Sequence, residues 1–417
     1  MLKKEKNNKK KEIIGCIADD FTGAADVCSL LVESGARCIF LNDIPSKKIE
    51  TSDVDVVVIA LKIRNINATK AIKKVEEAID YLESLKVTRI FSKYCSTFDS
   101  TDKGNIGPIL DYLMERYGQK YIVASPAFPE NNREVFNGYL FADKKLLSEG
   151  SMRTHPITPM LDSNLVRLLE KQSKYKAYNI NYNQLYEENS NVKNLINDYS
   201  NKSENFYIIP DYFNNNHGNI IMKHFSDTKV MSGSSQLIND WYKVIFKDAD
   251  KFEYDKSNNK KSKVIIFSGS LSDKTNEQIK EFINMGGEAI EVKVEDLSKG
   301  AEYYKEKILN SDNNLMLYSS RNKLEEDSKQ SLSYERFFAE LAKFSYENGV
   351  NKIIAAGGET SGSVIQALPF GEYKAIYNID KGIPVLEPKE NKDFRIVLKS
   401  GNFGSNKFFE QSIELMN

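Results

Sequence analysis

Long apolar runs are missing from this 417-residue chain. No stretch approaches the roughly 18–20 consecutive apolar residues that a membrane-spanning helix needs, so no membrane partner is expected. The basic start, "MLKKEKNNKKKE", leads into a strand-like segment rather than an apolar leader core. Residues 1–12 are therefore expected to form a disordered, solvated basic tail. Cysteine is scarce: Cys16, Cys28, Cys38 and Cys95 all fall in the first hundred residues, and no C-x-x-C pair occurs. That excludes a zinc site of the usual spacing and a disulfide framework, and it suits reduced thiols in the cytoplasm. A charge excess is absent as well. The 58 basic and 59 acidic residues leave a net charge of −1, which argues against nucleic acid as a partner held by broad electrostatics. No Gly-Lys-Ser/Thr closes a Walker A loop, and no strand runs into G-x-G-x-x-G with an acidic residue about 20 positions on. The second absence counts against an NAD-dependent oxidoreductase.

What is present is an ordinary globular composition, 41% hydrophobic and 28% charged, in a chain too long for one core. Continuous apolar strands alternate with helical stretches of 10–18 residues. Strands are expected at 13–18, 37–41, 54–61, 89–92 and 121–125, with helices at 24–34, 68–85 and 107–117. A helix is expected at 185–199 and a strand at 206–211. The pattern restarts with a strand at 264–270, a helix at 273–285, two further strands, a helix at 334–348 and a strand at 352–356. This is the signature of α/β architecture, two α/β domains with mainly parallel sheets. Residues 247–262 are charged and lack apolar periodicity. The expected division is thus 13–246, a linker at 247–262, and 263–417.

Ligands of such sheets bind at the carboxyl ends of strands. Three polar clusters occupy that edge in the first half: 19–23 after the first strand, 62–65 after the third, and "KYCSTFDSTDKGNIGP" (93–108) after the fourth. A polar stretch after a strand is commonly only a solvated turn, but three on one edge point to a polar ligand. Of the adjacent Asp19 and Asp20, one can cap the following helix and the other can face the cleft. The cations Arg64, Lys93 and Arg133 lie in loops of this half and suit a small anion. His155, one of three histidines, sits beside a proline and suits a structural role better than a catalytic one. In the second half, "FSGS" (267–270), "GGETSGS" (357–363) and "KSGNFGS" (399–405) are small-residue loops at or near strand ends. Close backbone approach and a helix N-terminus suit phosphate, so three such loops suggest a nucleotide cradle.

The blocks "ADDFTGA", "ALKIRN", "KYCSTFDSTDKGNIGP", "PAFPENNREVFNGYLF", "SMRTHPITPMLDSNLVRLL", "AGGETSGSVIQAL" and "KSGNFG" occur in order over nearly the whole chain. Together they resemble the four-carbon acid sugar kinase family. The resemblance implies transfer of the γ-phosphoryl group of ATP, with Mg²⁺, to the terminal hydroxyl of a 3-oxo-tetronate. Threonate or erythronate are the nearest alternative acceptors, and a non-catalytic sensor the remoter one. It implies a sugar-acid-binding domain at 13–246, a nucleotide-binding domain at 263–417, and an active site in the interdomain cleft. It implies nucleotide contacts at Ser268, Ser270, Gly357, Gly358, Glu359, Thr360 and Gly401. The sugar acid is expected at Asp19, Asp20, Arg64, Lys93, Ser96, Thr97, Asp99, Asn105 and Arg133. Asp20 is our own candidate for the general base, with Asp19 second and Lys93 as the catalytic cation. No metal ligand is assigned. The expected partners are the sugar acid and ATP, with room left for a homo-oligomer. Segments 231–237 and 377–384 depart from the family pattern, and both are expected on the nucleotide side.

Overall fold

The computed structural model describes residues 11–155, 158–186, 191–255, 260–320 and 328–417. Most of the expected tail, residues 1–10, lies outside that description. The first half carries β1 (Ile14–Ala18), β2 (Cys38–Asn42), β3 (Val56–Ala60), β4 (Arg89–Lys93) and β5 (Tyr121–Ser125). A short arm follows, β6 (Arg133–Phe136), β7 (Tyr139–Ala142) and β8 (Lys145–Leu146), and then β9 (Lys176–Ile180), β10 (Phe206–Pro210) and β11 (Val230–Gly233). The second half carries β12 (Val264–Ser268), β13 (Glu288–Val292), β14 (Leu315–Ser319), β15 (Lys352–Ala356), β16 (Glu372–Asp380), β17 (Ile383–Pro388) and β18 (Arg395–Lys399).

Among the described residues, fifteen of these strands form one sheet in the order β13-β14-β12-β15-β18-β17-β16-β2-β3-β1-β4-β11-β5-β10-β9. Within this sheet the first-half strands pair parallel with one another, as do β13, β14, β12, β15 and β18, while β6, β7 and β8 form a separate antiparallel sheet. The antiparallel β16–β17 hairpin joins the two parallel sets, β16 pairing with β2 and β17 with β18. In each half the chain order reverses beside the first strand: β1 lies between β3 and β4, and β12 lies between β14 and β15. Such reversals open a crevice at the carboxyl ends of the strands. Asp19 and Lys93 therefore emerge side by side, with Ala18 paired to Lys93 in register. The loops after β12 and β15 emerge together in the same way.

The strands are apolar because both faces are covered. Along β12, Ile265 and Phe267 join one core while Val264 and Ile266 join another, as side chains alternating across a sheet must. The larger core runs unbroken from Ile13 to Leu398 through both halves. The helix Phe21–Glu33 is central to it. It packs on β2, β3, β16 and β17 and on the helices Ser235–Ile245 and Gly358–Ala367.

Two expectations change. The helix expected at 185–199 is divided into Tyr182–Tyr186 and Val192–Lys202, with 187–190 outside the described residues. Segment 231–237 lies in the first half, not among the second-half loops. Met231–Gly233 close β11 between β4 and β5, where the Ser232 hydroxyl donates to the Ser92 carbonyl at 2.7 Å, and Ser235–Leu237 open the following helix.

Candidate functional site

Asp20 starts the helix Phe21–Glu33. Its backbone is extended, and Oδ1 accepts the Gly23 N–H at 2.6 Å, satisfying one of the free donors of the first turn. The same carboxylate faces the cleft, where Oδ2 lies 2.8 Å from Arg64 Nη1. Capping and cleft-facing roles thus fall on one residue. Asp19 stands behind it, holding Arg64 by a bidentate pair of 2.8 Å contacts from Nε and Nη2. Burial works against the Arg64 cation, but Asp19 and Asp20 outweigh it and hold the guanidinium well above its ordinary pKa.

The loop after β4 completes this wall. Lys93 is buried, with Nζ donating to the Tyr94 carbonyl at 2.9 Å. A Cβ on Gly23 would lie 3.3 Å from that nitrogen, so glycine lets the lysine reach the helix N-terminus. Further along, Phe98 and Asp99 carry φ values of +60° and +24°. Non-glycine residues in that region cost about 1–3 kcal/mol each and persist where their surroundings over-determine them. Here the Phe98 ring packs edge-on against Tyr94, and Asp99 lies 3.5 Å from Arg64 and accepts the Thr158 hydroxyl. Thr158 in turn donates its N–H to His155 Nδ1 at 3.1 Å, so His155 braces the loop from outside.

A cavity of about 440 Å³ opens in front of these groups. Asp20, Arg64, Lys93, Ser96, Thr97 and Arg133 line it, the last on the β6–β8 arm. Its far wall is Ser400, Asn402 and Phe403, from the loop after β18 in the other half. Asn105 does not line it. The amide donates to the carbonyls of Ile63, Arg64 and Ile66, which fixes the turn that aims Arg64. Several lining residues escaped the sequence reading, Lys145 and Asp26 among them. Lys145 lies just past a turn with no periodic signal. Asp26 is a lone carboxylate inside an otherwise apolar helix face.

In the second half, the three small-residue loops converge. Gly357 has φ +114°, caps Gly358–Ala367 without a side-chain bond, and lies against Ser270. A Cβ on Gly401 would lie 2.7 Å from the Ser270 hydroxyl. Ser272 and Thr275 donate to the Gly401 carbonyl at 2.6 and 2.7 Å. Beneath the loop, buried Lys399 donates to Thr275, Ser400 and Gly401, and burial pushes its ammonium down to about 7. Ser268 is buried at the end of β12, its hydroxyl without a hydrogen-bond partner among the described residues, and Thr360 is buried beside Gly269. Glu359 points elsewhere: it pairs with Lys62 of the first half at 2.5 Å.

Family models match the chain in succession, a sugar-binding N-terminal domain over residues 14–240 and a nucleotide-binding C-terminal domain over 265–409. A protein of Actinobacillus succinogenes named 3-oxo-tetronate kinase is 36% identical over 414 residues, covering 95% of this chain and 98% of its own length. One of Haemophilus influenzae with the same name is 35% identical over 416 residues, with coverage of 95% and 98%. A solved Salmonella typhimurium LT2 protein superposes with a TM-score of 0.82 at 33% identity, covering 96% of this chain and 98% of its own. A solved Haemophilus influenzae protein gives 0.77 at 33% identity, with coverage of 97% and 100%. No helix among the described residues is long and apolar enough to cross a membrane.

Proposed function

We propose, from the premise that this chain belongs to the four-carbon acid sugar kinase family, that it is an ATP-dependent kinase of 3-oxo-tetronate acting on the terminal 4-hydroxyl. The carrying observation is the shared cavity, with acid-binding chemistry on one wall and the loop after β18 on the other. The substrate carboxylate goes to Arg64 and Arg133, and the Ser96 and Thr97 hydroxyls bond to its oxygens. Lys93 faces the phosphoryl group in transfer and offsets the charge that grows on its oxygens. The triphosphate lies along Ser268, Ser270, Gly357, Gly358, Thr360 and Gly401, with its phosphates at the N-terminus of Gly358–Ala367. Glu359 acts from the margin, through Lys62.

Mg²⁺ fits the oxygen-rich cleft, since it favours phosphate and one or two carboxylates over an all-protein cage. Asp20 is the residue to hold it. Both of its oxygens are already engaged, but each keeps a lone pair, and the side chain is 25% exposed. The bound ion supplies positive charge to the phosphates. The protein works in the cytoplasm, where its four free thiols stay reduced.

The test is coupled ADP release with Mg-ATP over both 3-oxo-tetronate enantiomers, threonate and erythronate. The reading expects ADP with a 3-oxo-tetronate only. Release with threonate or erythronate alone contradicts the acceptor, and release with none contradicts the kinase.

A further inference from the structure

We propose that Asp26 is the general base of the transfer, its Oδ1 taking the proton of the acceptor hydroxyl as that oxygen attacks phosphorus. The proposal rests on the kinase reading above and deepens it. Asp26 lies on the helix Phe21–Glu33, where every side chain from Phe21 to Leu31 is buried. A carboxylate in such a run is costly unless its oxygens are used. Asp26 is only 8% exposed. Its Oδ2 accepts the hydroxyl of Ser235, from the helix Ser235–Ile245. Its Oδ1 is buried and, among the described residues, has no hydrogen-bond partner. Yet the residue lines the cavity.

Its position is at the join of the two halves. A Cβ on Gly382, at the β16–β17 turn, would lie 3.0 Å from Oδ1 and would also press on the Phe403 ring of the far wall. Charged neighbours are Lys93, which favours the ionised form, and Asp20, which opposes it. Burial is the larger influence and raises the carboxyl, moving it toward the range where a base works near neutral pH. Asp20 and Asp19 are worse placed for the proton. Both oxygens of each are engaged, with Arg64 pairing to both residues, so neither offers an unpartnered oxygen to the acceptor hydroxyl.

The step balances. The O–H bond of the 4-hydroxyl breaks and its proton passes to Oδ1. The oxygen's electron pair forms the new O–P bond. The bond from the γ-phosphorus to the β–γ bridging oxygen breaks, and ADP leaves with that pair. Asp26 returns the proton to water after the product departs.

The plainer alternative is that Asp26 only ties two helices through Ser235. Two variants separate the cases, each checked for folding by circular dichroism and melting temperature. In Asp26→Asn the shape and the Ser235 contact are kept. We expect kcat to fall on the order of 10²–10⁴-fold, with calorimetric affinity for the sugar acid and for Mg-ATP within about threefold of wild type. A kcat within about tenfold of wild type in the folded variant overturns the assignment. Ser235→Ala is the second variant and decides the matter if the first does not fold. Loss of the hydroxyl donor raises the Asp26 carboxyl, so the acidic limb of the kcat–pH profile moves to higher pH. An unmoved limb overturns the assignment. If wild type binds Mg-ATP but releases no ADP with any acid, the kinase reading falls and takes this one with it. Wild-type turnover with an active Asp26→Asn defeats the base alone.

Discussion

Arg64 binds more of the site together than its neighbours do. It pairs with Asp19, Asp20 and Asp99, and all four side chains are at least three-quarters buried. Removing one partner of such a group leaves buried charge uncompensated, which costs about 3–5 kcal/mol. Arg64→Ala is therefore expected to lower the urea unfolding free energy by about that amount and to abolish turnover. Arg64→Lys restores charge but not the bidentate fork, so it recovers part of the stability and little activity. Much of this wall was legible in the sequence, because Asp19, Asp20, Arg64 and Lys93 all follow apolar strands. Asn105 was legible as polar but not in its task, since three carbonyls of a distant turn claim its amide. Asp26 was not legible at all. A lone carboxylate inside a helix reads as a solvated face, and it is tertiary packing, from the helix Ser235–Ile245 and the β16–β17 turn, that covers it.

At the scale of elements, the helix Ser235–Ile245 carries a second buried carboxylate. Burial pushes Asp240 up to about 6, against hydrogen bonds from Tyr212 and Gln236. The folded form thus binds this proton more tightly than the unfolded chain. Its contribution to stability is fully present below about pH 4 and is lost as pH rises through about 6. Wild type minus Asp240→Asn, in urea unfolding free energy, is expected to fall on the order of 2 kcal/mol between about pH 4 and pH 7. A flat difference would show that Asp240 does not titrate there. The parallel strands with long continuous apolar runs were read within a few residues, because such runs are strong signals, whereas the parallel strands β9, β11 and β18 were not read. The β6–β8 arm was missed although Asn137-Gly138, at φ +49° and +73°, is a hairpin turn pair of the favoured kind. Its strands are only two to four residues long, too short for alternation to register. The helix expected at 185–199 failed for a related reason, since polar Asn-rich sequence gives no firm period.

At the scale of the molecule, the two halves are one sheet. The composition implied two cores, but nothing local announced that β2 would pair with β16 across them. That pairing and the unbroken core hold the halves together. Lys62, which pairs with Glu335 and Glu359 across the cleft rim, adds little, since it is 49% exposed. Lys62→Ala is expected to change unfolding free energy by less than ~1 kcal/mol in urea titration.

The proposed binding mode has a direction, with the acid end of the substrate on the Arg64 wall and the terminal hydroxyl toward the second-half loops. The most direct test is phosphorus NMR of the product made from 3-oxo-tetronate and Mg-ATP. The account predicts one new phosphomonoester signal per ADP, split by the two methylene protons of C4. A signal coupled to the single proton of C2, an acyl phosphate, or free phosphate alone would contradict it.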